Sequence, residues 1–385
     1  MRIYLDHNAT TPLRPEVAEA MARALRDLYG NPSSVHAEGA RARAAVEKAR
    51  EQVAALVGVR PSEVVFTSGA SEANHLAIHG IARGPGARGR TLVASAVEHP
   101  SVAEPLVALA GEGFGMAQVP VDGEGRLELA ALDAALEAKP ALCSCIWAQN
   151  ETGVVSPIEA VAERCRMRGV PFHADATQAL GKLPVRLDRV PVDLLSASAH
   201  KLNGPKGVGF LVVRAGWELE PWLRGGGQER GRRGGTVNAP GIVGLGVAAA
   251  LVAAELPERA AAAAALRDRL WDGIAAKVPR VRRNGAGAPL LPNTLNVELA
   301  GVPADLLVEA LDGEGIAASA GAACASGALH ASTALLAMGR TPAQARSALR
   351  LSLGLGNDAA QVERVLALLP DLVARVRAAG AGSRP

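Results

Sequence analysis

Val170-Pro-Phe-His173-Ala-Asp175-Ala-Thr-Gln178, followed by Val192-Asp-Leu-Leu-Ser196-Ala-Ser198-Ala-His200-Lys201, decides the architecture of this 385-residue chain. Each stretch is a short apolar run ending in polar and ionisable side chains. That is the pattern of a buried strand whose carboxyl end opens onto a site. Working outward, apolar β-branched runs at 63–66, 91–95, 141–147, 170–174, 192–197 and 208–213 read as strands. Amphipathic segments at 71–82, 102–111, 127–138 and 157–168 lie between them and are long enough to be crossover helices. The alternation predicts an α/β fold, doubly wound or a near relative, with a mainly parallel sheet between helices. At 255–257 the pattern changes to a long Ala-rich helix, then a strand-like 293–297 and further helices, so a domain boundary is expected there. The small, polar tail 379–385 reads as disordered.

Composition narrows the function. With 49% hydrophobic and 21% charged residues, the chain has the balance of an ordinary globular protein. A net charge of only +3, spread along the chain, and 3% aromatic residues argue against a dedicated nucleic-acid binder. Four cysteines are too few for a disulfide framework, and Asp6 cuts short any secretory apolar run, so the cytoplasm is the expected compartment. Residues 234–254 carry no charge and could span a bilayer by length. Their Gly and Ala content, with Thr236, Asn238 and Pro240, predicts a buried core helix instead, and no membrane association is expected.

The two opening stretches put a carboxylate, Asp175, and an amine, Lys201, at neighbouring strand ends. Pyridoxal phosphate needs that pair: a lysine to bind its aldehyde as a Schiff base and an acid to keep the pyridine nitrogen protonated. Either residue alone would read as a helix cap or a solvated loop residue. The chain has only six lysines, however, and places two of them, Lys201 and Lys206, around one turn after a strand. Arginine could not substitute, because its guanidinium stays protonated. Thr67-Ser-Gly-Ala70-Ser71-Glu-Ala-Asn74 is a small-residue turn between strand and helix whose amides suit a phosphate, with Ser198 and His200 as further donors. His99 follows a third strand, where an imidazole could stack on the pyridine ring and move protons. Asn150 and Gln178 offer amides for the cofactor's phenolic oxygen.

These residues resemble the cysteine desulfurases, a branch of the class V aminotransferases with the fold-type I pyridoxal-phosphate architecture. The resemblance runs from Tyr4-Leu-Asp-His-Asn-Ala-Thr-Thr-Pro12 and Gly30-Asn-Pro-Ser-Ser34 through the segments above to Ser198-Ala-His-Lys-Leu-Asn-Gly-Pro205. It continues through Gly225-Gly-Gly-Gln-Glu-Arg-Gly-Arg-Arg-Gly-Gly-Thr236, Ser319-Ala-Gly-Ala-Ala-Cys324-Ala-Ser and Arg350-Leu-Ser-Leu-Gly354. It implies a large cofactor domain at 13–256 and a smaller α+β domain made of 1–12 and 257–378. Cofactor contacts would come from Ala70, Ser71, Asn150, Asp175, Gln178, Ser198, His200 and Lys201. The substrate carboxylate would meet Arg350 and Asn150. Thr236 would reach the cofactor phosphate of a second subunit in a homodimer.

By the same resemblance Lys201, Cys324 and His99 are catalytic. Cys324 sits in a run of Ala, Gly and Ser that offers few side chains to pack, and its thiolate would take sulfur from L-cysteine, leaving L-alanine. An iron–sulfur scaffold or a thiolation pathway would receive the sulfur. Cys143, Cys145 and Cys165 read as buried small residues, and no metal is expected. Two other readings stay open: another class V enzyme, such as an aminotransferase or selenocysteine lyase, and a weakly catalytic sulfur-delivery or scaffold protein.

Overall fold

The computed structural model describes residues 2–87, 89–320 and 331–382. Its strands are β1 (Ile3–Tyr4), β2 (Val64–Thr67), β3 (Thr91–Ser95), β4 (Gly115–Val119), β5 (Leu142–Ile146), β6 (Phe172–Asp175), β7 (Leu194–Ser198), β8 (Gly209–Val213), β9 (Val281–Arg283), β10 (Thr294–Leu299), β11 (Ile316–Ala317) and β12 (Ala348–Ser352). The helices are α1 (Pro15–Asp27), α2 (Ala37–Val57), α3 (Ala70–Ala82), α4 (Pro100–Gly111), α5 (Leu129–Glu137), α6 (Ile158–Arg168), α7 (Ala239–Lys277), α8 (Ala304–Gly313), α9 (Thr333–Ala337), α10 (Pro342–Ala345) and α11 (Ala359–Gly382).

Seven strands form the main sheet in the order β2-β8-β7-β6-β5-β3-β4. From β4 to β7 all neighbours are parallel, and β8 runs antiparallel between β7 and β2. Strand side chains alternate between faces. Val65, Leu194 and Leu211 therefore pack under α3 and α4, while Phe66, Leu195 and Phe210 join the core beneath α2, α6 and α7. With both faces covered, β5, β6 and β7 are buried along their whole length, which is why they read as near-continuous apolar runs. β4, an edge strand with mostly exposed side chains, has no such run and went unpredicted.

A separate core gathers Ile3 and Leu5, the end of α7, the antiparallel sheet β12-β10-β9, α8 and α11. The boundary expected at 255–257 falls inside α7, which continues through Pro257 for 39 residues. One helix serves both cores, with Leu245 and Val252 in the first and Leu270 and Ile274 in the second. Burial at each end holds the helix together across the hydrogen bond that a proline cannot make. Leu291, Ala334, Leu335 and Ala348 also pack into the first core. α7 is long and apolar enough to cross a membrane by length and composition, and half of its most apolar window is buried inside the protein. At the other end, α11 extends to Gly382, past residue 379 where order was expected to stop. Residues 379–382 simply prolong an established helix, which costs far less than nucleating a new one.

Candidate active site

The sheet order sets the carboxyl ends of β5, β6 and β7 side by side, with Ile146, Asp175 and Ser196 in register. Asp175, buried at the end of β6, accepts hydrogen bonds from Asn74 Nδ2 and from the Thr177 amide, both at 2.9 Å. Asn74 Nδ2 also donates to Ser101 Oγ at 2.8 Å. Ser101 in turn touches His99, the N-cap of α4, through both its amide (3.1 Å) and its hydroxyl (2.8 Å). Because the amide can only donate, His99 Nδ1 is an acceptor and the ring proton sits on Nε2. Burial lowers the His99 pKa against the opposing pull of Asp175, so the ring is neutral at physiological pH.

Lys201 closes the single 3-10 turn Ala199–Lys201 after β7, and its Nζ donates to the carbonyls of Asn8 and Ala9, the latter at 2.7 Å. Gln178 Nε2 donates to the same Asn8 carbonyl at 2.9 Å. Asn8 Nδ2 donates to the Asn150 carbonyl at 3.1 Å and to Thr294 Oγ1 at 2.9 Å. The segment after β1 is thus a strap that ties Lys201, Gln178 and Asn150 together. His200 faces the same strap, with Nδ1 at 3.1 Å from Thr10 Oγ1 and its carbonyl bound by Thr11. Burial, with help from Lys201, Lys206 and Lys182, lowers the His200 pKa to about 4, so it is a neutral donor or acceptor.

At the phosphate end, Gly69 caps α3, and Ala70 and Ser71 occupy its first turn, where amides cannot be satisfied from within the helix. The turn rests against β8 so closely that a Cβ on Gly209 would lie 2.6 Å from Gly69 C and from Ala197 O. On its open side, a Cβ on Gly69 would meet only Ser198 Oγ, at 3.8 Å. Ser198 Oγ thus stands beside the first-turn amides, a set of polar groups of the kind that suits a phosphate. Glu72 would repel an anion there, but Arg233 pairs with it at 2.8 Å. Burial pushes the Glu72 carboxyl up, yet Arg233 and Ser68 outweigh it and hold it below the ordinary value.

Arg350, on β12, is buried and donates to Asp6 Oδ1 at 2.7 Å and to the Asn150 carbonyl at 3.2 Å. Its Nε is buried and has no hydrogen-bond partner among the described residues. An unmet donor on a guanidinium beside Asn150 is a place for a substrate carboxylate. Asp175 and Lys201 for the ring, the Gly69–Ser71 turn for the phosphate and Arg350 for the substrate together fit the group inferred from the sequence.

Thr236 is exposed, beyond a glycine-rich loop docked by two ion pairs, Arg233 with Glu72 and the buried Arg50 with Glu229 (2.8 Å). Cys324 lies outside the described residues. Cys143, Cys145 and Cys165 are buried, and contact with Cys165 together with burial pushes the Cys143 thiol well above its ordinary pKa. Sequence reasoning missed Asn8 and Asn74, although both stand inside the motifs that were quoted. Asn8 sits beside His7 and Asn74 beside His75, so neither amide stands out from its neighbours along the chain.

The chain matches the aminotransferase class-V family model over residues 3–365. It is 43% identical to a cysteine desulfurase of Trichormus azollae, over 98% of this chain and 94% of that protein. Identity to a cysteine desulfurase of Cereibacter sphaeroides is 45%, over 98% and 97%. Among solved structures, a NifS-like protein superposes with a TM-score of 0.90 at 36% identity, covering 97% of this chain and all of that one. SspA in complex with cysteine gives 0.82 at 34% identity, over 92% and 99%.

Proposed function

Because the chain belongs to the class V aminotransferase family, we propose that it is a cysteine desulfurase, converting L-cysteine to L-alanine and passing the sulfur to Cys324 as a persulfide. The observation that carries this reading is the gathering of two hydrogen-bonded groups at the carboxyl ends of β5, β6 and β7: His99 joins Asp175 through Ser101 and Asn74, and Asn8 of the N-terminal strap joins Lys201, Gln178 and Asn150, whose carbonyl also accepts from Arg350. Among the described residues Arg350 Nε has no hydrogen-bond partner.

Pyridoxal phosphate, when bound, supplies the electron sink that allows a proton to leave the substrate α-carbon. Lys201 would hold it covalently, Asp175 would hold the proton of its ring nitrogen, and Ala70, Ser71, Ser198 and His200 would hold its phosphate. Arg350 orients L-cysteine by its carboxylate, using Nε. Lys201, displaced by the substrate, takes the α-proton at Nζ. His99 carries its proton on Nε2 and can give it up where the reaction needs an acid. The Cys324 thiolate then bonds to the substrate sulfur as the carbon–sulfur bond breaks, and the carbon skeleton, protonated at Cβ and again at the α-carbon by the proton that Lys201 holds, leaves as alanine.

A homodimer, with Thr236 reaching the second subunit's phosphate site, is supported by the exposure of Thr236 beside a firmly docked loop. Delivery to an iron–sulfur scaffold or a thiolation acceptor, and a cytoplasmic setting, rest on the resemblance and the cysteine content. The test is to supply the cofactor-loaded protein with L-cysteine and a reductant and to assay alanine and sulfide, which should appear in equal amounts. Cys324→Ala should keep the cofactor absorbance and lose sulfide release. Amino-group transfer to a 2-oxo acid without loss of sulfur would overturn the reading.

A further inference from the structure

Several buried ionisable groups near the site, Glu98, Glu151 and Lys182 among them, have no task in the mechanism above, and of these three Lys182 is the one bonded directly to Gln178. Lys182 is 8% exposed, and its Nζ donates to Asn8 Oδ1 at 3.0 Å and to Gln178 Oε1. Both acceptors are amide oxygens. The charged groups that act on it, Lys201 from the 3-10 turn and Arg350 from β12, are cations, and burial and both of them push its pKa well below the ordinary value. A chain that has six lysines against thirty-five arginines keeps a second lysine here, where it gains no ion pair.

We propose that Lys182 is a positioning residue that locks the Gln178 side-chain amide with its NH2 turned toward the Lys201 side of the site. This rests on the pyridoxal-phosphate reading above. The two faces of the Gln178 amide are held by groups of opposite character: Lys182 can only donate to Oε1, and the Asn8 carbonyl can only accept from Nε2. Asn8 is locked in the same way, its Oδ1 taking bonds from Lys182 and Asn293 while Nδ2 donates to Asn150 and Thr294. A primary amide flips about its last torsion at little cost unless its neighbours distinguish oxygen from nitrogen. Without Lys182, only the Asn8 carbonyl still holds the orientation of Gln178, and a flipped amide would turn its oxygen toward the site, where it would repel the phenolic oxygen of the cofactor. Lys182 and Gln178 lie four residues apart in the turns that follow β6, so the same short stretch supplies both the amide and its lock.

The test is a double-mutant cycle on cofactor affinity, measured by titrating cofactor-stripped protein with pyridoxal phosphate. Lys182→Met keeps the length and loses the donor, and should weaken binding about tenfold, the value of one lost charge-assisted hydrogen bond. Gln178→Ala should weaken it by a similar factor. The double variant should bind no more weakly than Gln178→Ala alone, because Lys182 acts through that amide. Lys182→Arg, which still donates, should recover most of the affinity. Losses that multiply in the double variant, or unchanged affinity in Lys182→Met, overturn the proposal. If Lys182→Met does not fold, Lys182→Ala, which also removes the donor, takes its place in the cycle and is judged by the same multiplicative criterion. Failure of the parent protein to take up pyridoxal phosphate would overturn the functional reading along with it, whereas a loaded parent with multiplicative losses overturns this inference alone.

Discussion

Replacing Glu229 by Gln should cost this protein about 3 kcal/mol, far more than its distance from the reacting groups would suggest. The Glu229 carboxylate receives Arg50 Nη1 at 2.8 Å, Arg50 Nη2 at 2.9 Å and the Phe66 amide at 2.9 Å. Both ion-pair side chains are only 4% exposed, and the guanidinium also lies 4.6 Å from the centre of the Phe66 ring. Burial alone would depress the Arg50 pKa, but Glu229 outweighs it and holds the guanidinium above its ordinary value. Glutamine fits the space but turns an N–H toward donors that need an acceptor, and it leaves the buried cation with only the partly exposed Glu47 to balance it. Removing one member of a buried pair typically costs about 3–5 kcal/mol, and the retained amide oxygen argues for the low end. With an unfolding entropy of about 2 cal/mol/K per residue, that loss lowers the melting temperature by about 4 °C. Scanning calorimetry on the cofactor-free protein reads it directly. The exposed pair Arg83 with Glu112 is the control, since Glu112→Gln should shift melting by less than about 1 °C. A Glu229→Gln shift as small as the control's would refute the claim that this ion pair anchors the glycine-rich loop.

Three further outcomes follow from the same geometry. Glu98 is buried with Oε2 unpaired, and desolvation raises its pKa to about 8, so the folded protein keeps a proton that the unfolded chain releases above its ordinary value of 4.5. Its contribution to stability is full below that value and is lost as pH rises toward about 8; Glu98→Gln should flatten this slope in urea unfolding and be the more stable protein at the alkaline end. Gly209→Ala would place a methyl 2.6 Å from the backbone of Gly69, so the phosphate turn must shift, and equilibrium dialysis should show cofactor affinity reduced by at least about tenfold. Arg350→Gln removes the guanidinium that awaits the substrate carboxylate, and steady-state kinetics should show kcat/KM for L-cysteine lower by about a hundredfold with cofactor absorbance retained.

The main sheet was legible because β5, β6 and β7 are buried on both faces and so cannot hide their apolar character. Asp175, Lys201 and His99 were legible because they stand directly after such runs, where an open α/β sheet places its ligands. The edge strand β4 was not, since one partner and solvent exposure impose little pattern on its side chains. That a single helix, α7, runs through the boundary expected at 255–257 was not legible, because burial of its two ends in different cores is a property of the folded whole.

The order of the elements, the strand ends and the identities of the reactive side chains were determined by the sequence alone, because each is a local pattern of burial and chemistry. Only the tertiary structure decided that Asn8, 193 residues from Lys201, would bind it. The same holds for Asn74 and Asp175, and for Asp6 and Arg350, which are 344 residues apart and meet at the edge of the smaller core. A buried polar group must find a partner wherever the packed backbone brings one within reach, and that choice is made by the three-dimensional fold, not by neighbours along the chain.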